Sequence, residues 1–183
     1  MDLPTFAAAL PAVGWAVHSG LLARRLSSAR RDPLTGLHTR AGWTARAERI
    51  IQRSPNALVV LVDLDDFKAV NDTHGHAAGD AVIASTASRL AMWAGRHGIA
   101  ARLGGDEFAV IVTDPAKTLG PAALVSALHR PVLHGGSLLP IAASAGFCHL
   151  TDLPEPSLTD ALTAADAAMY AAKGHGRRNN THH

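Results

Sequence analysis

Three carboxylates, Asp63, Asp65 and Asp66, directly follow the apolar run Ala57-Leu58-Val59-Val60-Leu61-Val62. A rigid strand ending on an acid fixes a carboxylate where a divalent cation can be held, an arrangement suited to phosphoryl transfer. A second acidic pair, Asp106 and Glu107, follows Gly104 and Gly105 between the stretches Ala101-Arg102-Leu103 and Phe108-Ala109-Val110. Gly-Gly between two apolar stretches signals a tight hairpin needing positive φ, and glycine lets backbone approach a ligand closely. If the two strands are neighbours, Asp63 and Asp106 converge on one pair of magnesium ions. Taken singly, either acidic segment also reads as an ordinary solvated turn.

The elements that must position these acids alternate between strand and helix signals from Asp32 onward. Residues 57–62, short, β-branched-rich and bounded by Pro55-Asn56 and Asp63, predict a buried central strand. Val82, Ile83, Thr86, Leu90 and Trp93 recur at helical spacing and predict a helix over 80–93. Residues 108–112 read as a second buried strand, stopped by Asp114-Pro115. A helix is expected over 121–128, with Pro121 in its first turn. Residues 138–148 form a third strand region, weakened by small side chains. Ser157-Leu158-Thr159-Asp160 caps a last helix over 161–173, which Gly174 and Gly176 are expected to end. No internal repeat or low-complexity segment interrupts the pattern. The expectation is an α/β sandwich with helices packed on one sheet.

Composition narrows the class. A chain of 183 residues with 48% hydrophobic and 17% charged residues supports a compact domain with a short appendage, and excludes disorder. Net charge is +2, and half of the arginines lie in the first forty or last ten residues. A basic stripe through the body is missing, which weighs against nucleic-acid binding. Cys148, the one cysteine, sits in an apolar run and reads as a small buried hydrophobe in a reducing compartment. None of the eleven histidines has zinc-ligand company, and His182 and His183 read as a tag remnant or a natural tail. Residues 3–23 are almost uncharged, broken by Pro4, Pro11 and His18, and followed by Arg24, Arg25, Arg30 and Arg31. Two readings stand: a membrane span with the arginines on the cytoplasmic side, or a helix that packs on the domain or pairs with its copy. A signal peptide is disfavoured, because the charges follow the apolar stretch.

Four blocks occur in order. Asp32-Pro33-Leu34-Thr35-Gly36-Leu37 with Arg40 opens the series. Val62-Asp63-Leu64-Asp65-Asp66-Phe67-Lys68 leads to Asn71-Asp72-Thr73-His74-Gly75-His76 and then Gly79-Asp80. Arg102 to Phe108 follows, and Ala165-Asp166, Met169-Tyr170, Lys173, Gly176-Arg177 and Asn179 close it. Together these blocks resemble the GGDEF family, the diguanylate cyclases of bacteria, from Asp32 to Asn179. The resemblance implies an α/β (α+β) fold: a central mixed, mostly antiparallel sheet flanked by helices, the nucleotidyl-cyclase or palm-like GGDEF fold. Residues 31–180 are then the expected catalytic domain. The apolar stretch makes 1–30 an expected helix, membrane segment or dimerisation helix, with an Arg-rich linker, and 181–183 are a tail.

The implied activity joins two GTP into cyclic di-GMP plus two pyrophosphates across a homodimer. Asp63, the backbone carbonyl of Leu64 and Asp106 are expected to coordinate magnesium or manganese. Asp63, Asp106 and Glu107 form the implied catalytic set, with Glu107 assisting the metal shell or deprotonating the attacking hydroxyl. Lys68, Lys173 and Arg177 are expected to grip phosphates, with Asp66, Phe67, Gly104 and Gly105 in the substrate site. Only three lysines occur, Lys68, Lys117 and Lys173, and two fall on these positions. Asn71 and Asp80 are expected to read guanine, the carboxylate accepting from N1–H and the exocyclic amine and so rejecting adenine. Gly75 and His76 shape the turn presenting Asp80. Asn71 and Asp72 also read as helix caps, the favoured reading for Asp72.

One departure matters. Many relatives carry an Arg-x-x-Asp inhibitory site ending six residues before the Gly-Gly, where product binds. Here that window is Gly95-Arg96-His97-Gly98, so feedback inhibition through it is not expected. The competing reading is a non-catalytic module holding GTP or cyclic di-GMP. Degenerate relatives of that kind usually lose the signature acids or the binding pair, all present here. A mixed guanine–adenine product is a narrower alternative, disfavoured by Asp80. No separate sensor domain is expected in the thirty residues ahead of the domain, and membrane location, expression or a partner is expected to regulate it instead. Localisation is expected in the bacterial cytoplasm, anchored to the inner face of the membrane if residues 3–23 insert.

Overall fold

The computed structural model describes residues 30–179, with side chains to Lys173. Its core is a five-stranded sheet in the order β1-β3-β4-β2-β7. These strands are β1 (His38–Thr39), β2 (Leu58–Leu64), β3 (Gly98–Gly104), β4 (Glu107–Val112) and β7 (Ala143–His149). Only β1 on β3 is parallel; β3 on β4, β4 on β2 and β2 on β7 are antiparallel. The mixed, mostly antiparallel sheet is thus the one expected. Around it lie α1 (Arg40–Ile51), α2 (Phe67–His74), α3 (His76–Ala94), α4 (Pro121–Leu128) and α5 (Leu158–Asn179). A separate two-stranded ribbon pairs β5 (Val132–His134) with β6 (Ser137–Leu139).

The period of two along β2 builds two hydrophobic layers. Leu58, Val60, Val62 and Leu64 pack with Val82, Leu90, Leu124 and Leu128 of α3 and α4. Val59 and Leu61 point the other way, onto Trp43, Ala47, Ala161 and Ala165 of α1 and α5. Each fully buried Val or Leu contributes about 1.5–3 kcal/mol, so a strand buried on both faces anchors the fold. Asp63, next to last in β2, is the one residue of this strand that is not buried.

Several boundaries differ from expectation. The region 138–148 splits at Pro140, which donates no ladder hydrogen bond. Ser137–Leu139 joins the ribbon and Ala143–His149 joins the main sheet. Helix α3 starts at His76, a turn before the expected Asp80, straight after Gly75 at φ 82. Asp72 does not cap a helix: it lies inside α2, whose N-cap position is Asp66. Nor do Gly174 and Gly176 end the last helix, which continues through both to Asn179. A glycine costs a helix about 1 kcal/mol relative to alanine, which weakens it without stopping it. Its start is as expected, Ser157 Oγ accepting from the Asp160 amide at 3.1 Å. Helix α1, which the residue pattern did not announce, is capped by Thr39, whose side chain accepts from the Gly42 amide. Cys148 is buried, as expected.

Among the described residues no helix is long and apolar enough to cross a membrane. The apolar segment 3–23 lies outside them.

Candidate active site

Strand pairing assembles the acidic end of the sheet. In the register of β2 on β4, Asp63 stands directly across from Glu107, and the Leu64 amide donates to the Asp106 carbonyl at 3.3 Å. The two acidic segments are therefore neighbours. Cross-strand partners share a face, so the register aligns Asp63 with Glu107 and places Asp106 beside Leu64 at the bend. The hairpin turns at Gly105, whose φ of 51 suits glycine. Asp66, where β2 gives way to α2, has the same φ of 51 and is the one non-glycine with positive φ among the described residues. Such strain persists where surrounding structure enforces it, commonly at functional sites.

Lys173, delivered by α5, ion-pairs with Asp63 and stands 3.7 Å from Asp65 Oδ1. Asp65 is held in turn by the Ser144 hydroxyl, which donates to Oδ1 at 2.9 Å from the neighbouring β7. A cavity of about 500 Å³ opens here, lined by Asp65, Asp66, His129, Ser144 and Lys173. On the other side of the acids, Arg40 donates to the Leu103 carbonyl at 3.3 Å and meets Glu107 Oε2 at 3.4 Å. Both partners are more than half exposed, so this pair is worth about 0–1 kcal/mol. Arg40 and Glu107 flank a second cavity of about 340 Å³ floored by Trp43, Leu103 and Phe108.

The hairpin is braced from outside the strands. Arg102 Nη1 lies 3.4 Å from both oxygens of Asp32, and its Nε donates to the Gly105 carbonyl at 2.9 Å. Asp32 also accepts from the Thr35 amide at 2.9 Å and hydroxyl at 2.7 Å. Burial alone would raise the Asp32 carboxyl. The Thr35 hydrogen bonds and the Arg102 guanidinium more than offset this and hold it below the usual carboxylate value.

The expected base readers sit on the α2–α3 pair. Asn71 is half-buried beside Gly79, whereas Asp80, Lys68, Asp66 and His76 are exposed. Asp63, Lys173 and Glu107 are thus brought to one end of the sheet, with Asp106 at the bend. The side chain of Arg177 lies outside those described. Residue-by-residue reading missed the parts played by Asp32, Arg102, Asp65, Ser144 and Arg40. Asp32, Arg102, Asp65 and Arg40 lay within the quoted blocks, but nothing in one sequence pairs positions 70 or 79 residues apart.

Among the described residues no three metal-ligating side chains cluster. Two carboxylates and a backbone carbonyl nevertheless make a hard oxygen set. Magnesium commonly uses one or two carboxylates and takes its other ligands from water and substrate phosphates, so the donors fit it.

A mixed sheet covered on both faces by helices, with carboxylates on paired strand ends beside an ammonium, defines an α/β domain with a charged cluster at one end of its sheet. More narrowly, the chain belongs to the GGDEF family: the model described as "Diguanylate cyclase, GGDEF domain" matches residues 29–179. It is 62% identical to an uncharacterized 19.3 kDa protein of Streptomyces ambofaciens over 97% of either chain. It is 35% identical to the diguanylate cyclase DgcN of Escherichia coli K12 over 82% of its own length, but spans only 38% of that relative. Among solved structures, the coiled coil and GGDEF domain of DgcB from Caulobacter crescentus, in complex with c-di-GMP, superposes with a TM-score of 0.72. That match has 26% identity and covers 96% of both chains.

Proposed function

We propose that this chain is a diguanylate cyclase, condensing two GTP into cyclic di-GMP and two pyrophosphates. The observation that carries the reading is the β2–β4 register, which sets Asp63 across from Glu107 at the glycine hairpin with Lys173 on the same carboxylate. Family membership and the name of the E. coli relative support it.

In each half of the reaction the 3′-oxygen of one GTP bonds to the α-phosphorus of the other. That phosphorus releases the bridging oxygen of pyrophosphate, and the 3′-hydroxyl gives up its proton. Asp63, the Leu64 carbonyl and Asp106 would hold magnesium or manganese, which when bound offsets the charge building on the phosphates. Glu107 would assist in holding the metal or would take the hydroxyl proton. Lys173, Lys68 and Arg177 grip the phosphates, and Asn71 with Asp80 reads the guanine edge. One chain presents one half-site, so catalysis needs two copies face to face. Residues 3–23 are the proposed contact between copies, a reading supported by the likeness to a chain made of a coiled coil and a GGDEF domain. GTP supply places the activity in the bacterial cytoplasm.

The window before the hairpin carries no carboxylate: Gly95–His97 is one 3₁₀ turn, with Arg96 Nε on His97 Nε2 at 3.0 Å. Product inhibition through an Arg-x-x-Asp site is accordingly absent from the proposal. The deciding experiment incubates purified protein with magnesium and labelled GTP and resolves the products by chromatography. Absence of cyclic di-GMP across a range of protein concentrations, from folded dimer, overturns the reading. So does retained turnover in Asp106→Ala.

A further inference from the structure

Between the two residues assigned to the base, Asn71 on α2 and Asp80 on α3, lies Gly79, buried near the start of α3. Glycine inside a helix ordinarily weakens it relative to alanine and offers no side chain to pack. Backbone conformation does not call for glycine here, because Gly79 is not among the residues with positive φ. Space does. A Cβ at position 79 would overlap Asn71 Oδ1 and stand 2.9 Å from Asn71 Cγ and 3.1 Å from Phe67 Cζ. Carbon atoms pack best about 3.5–4.0 Å apart, so all three contacts are too close. The group in the way is the Asn71 carboxamide itself, and Phe67 limits the direction in which it can retreat.

We infer that Gly79 is a positioning residue for base recognition: lacking a side chain, it lets the Asn71 carboxamide lie against the α3 backbone next to Asp80. The two side chains then form one reading edge contributed by two helices. The inference rests on the guanine-reading role proposed for Asn71 and Asp80. A methyl group at position 79 displaces the carboxamide or swings it into another rotamer, and hydrogen bonds weaken steeply with distance and angle. An edge built to pair with one base then loses affinity for it and discrimination against the other.

The test is calorimetric titration of the whole chain, with magnesium, using α,β-methylene GTP and its adenine counterpart. If the unsubstituted protein does not prefer the guanine analogue, the base-reading role falls and this inference with it. If it does, Gly79→Ala is expected to bind the guanine analogue on the order of tenfold more weakly, the loss of about one hydrogen bond. Binding of the adenine analogue should change little, and the melting temperature should not fall, as a merely structural glycine would require. Unchanged guanine affinity in Gly79→Ala overturns the inference while leaving the base-reading role intact. A second comparison decides even if that variant folds poorly, because Asn71→Ala removes the overlapped atoms. Asn71→Ala and the Asn71→Ala, Gly79→Ala double variant are expected to bind equally. A further loss in the double variant would mean that Gly79 acts through something other than Asn71.

Discussion

Replacing Asp32 by Asn removes the charge that Arg102 faces while keeping the shape and one acceptor for Thr35. Both members of the pair are 17% exposed, between a surface bridge worth about 0–1 kcal/mol and a buried one whose breakage costs about 3–5. Hydrogen bonds to charged groups contribute about 1.5–3 kcal/mol each, and the Thr35 bonds weaken without being lost. The expected loss is therefore about 2 kcal/mol at neutral pH, or roughly 4–8 °C in melting temperature for a domain of this size. The sign of the pH dependence follows from the direction of the Asp32 shift. Its folded-state value lies below the ordinary one, so the stabilisation is fully present above about pH 4 and is lost as pH falls through the folded-state value. Thermal or urea melts of the two proteins at pH 7 should differ, and the gap should close as pH drops below about 4. Equal melts at neutral pH, or a gap that persists in acid, would refute the account of the Asp32–Arg102 pair.

Gly146→Ala should be severe. A Cβ there would overlap the Ala165 carbonyl and the Met169 amide, both backbone of α5, and the expected loss is about 3 kcal/mol by urea unfolding. A neutral substitution would mean that α5 does not pack as described. Ser144→Ala deletes the donor to Asp65 and should lower stability by about 1–2 kcal/mol, with slower turnover because Lys173 loses a fixed neighbour. Unaltered kinetics would sever Ser144 from the site. Cyclic di-GMP added to the assay at tens of micromolar should leave initial rates within about twofold, there being no carboxylate in the 95–98 window. Strong non-competitive inhibition would locate a product site elsewhere.

Local chemistry is what this sequence determined by itself. The β-branched run ending at Asp63, the Gly-Gly bend before Asp106, the Ser157 cap and the four motif blocks each depend on residues a few positions apart. They accordingly specified the strands β2 and β4, the hairpin, the start of α5 and the family. Periodicity failed where local signals were weak or contested: Pro140 divided one expected strand between two sheets, and glycines at 174 and 176 slowed a helix without ending it. Helix α1 escaped notice because its apolar positions, Trp43 and Ala47 among them, are sparse among arginines and small residues. Tertiary structure alone decided which charges meet. Lys173 reaches Asp63 across 110 residues, Ser144 reaches Asp65 across 79, and Arg102 reaches Asp32 across 70. Those pairings follow from strand order and register, which are set by burying both faces of β2 at once, and no spacing along the chain encodes them.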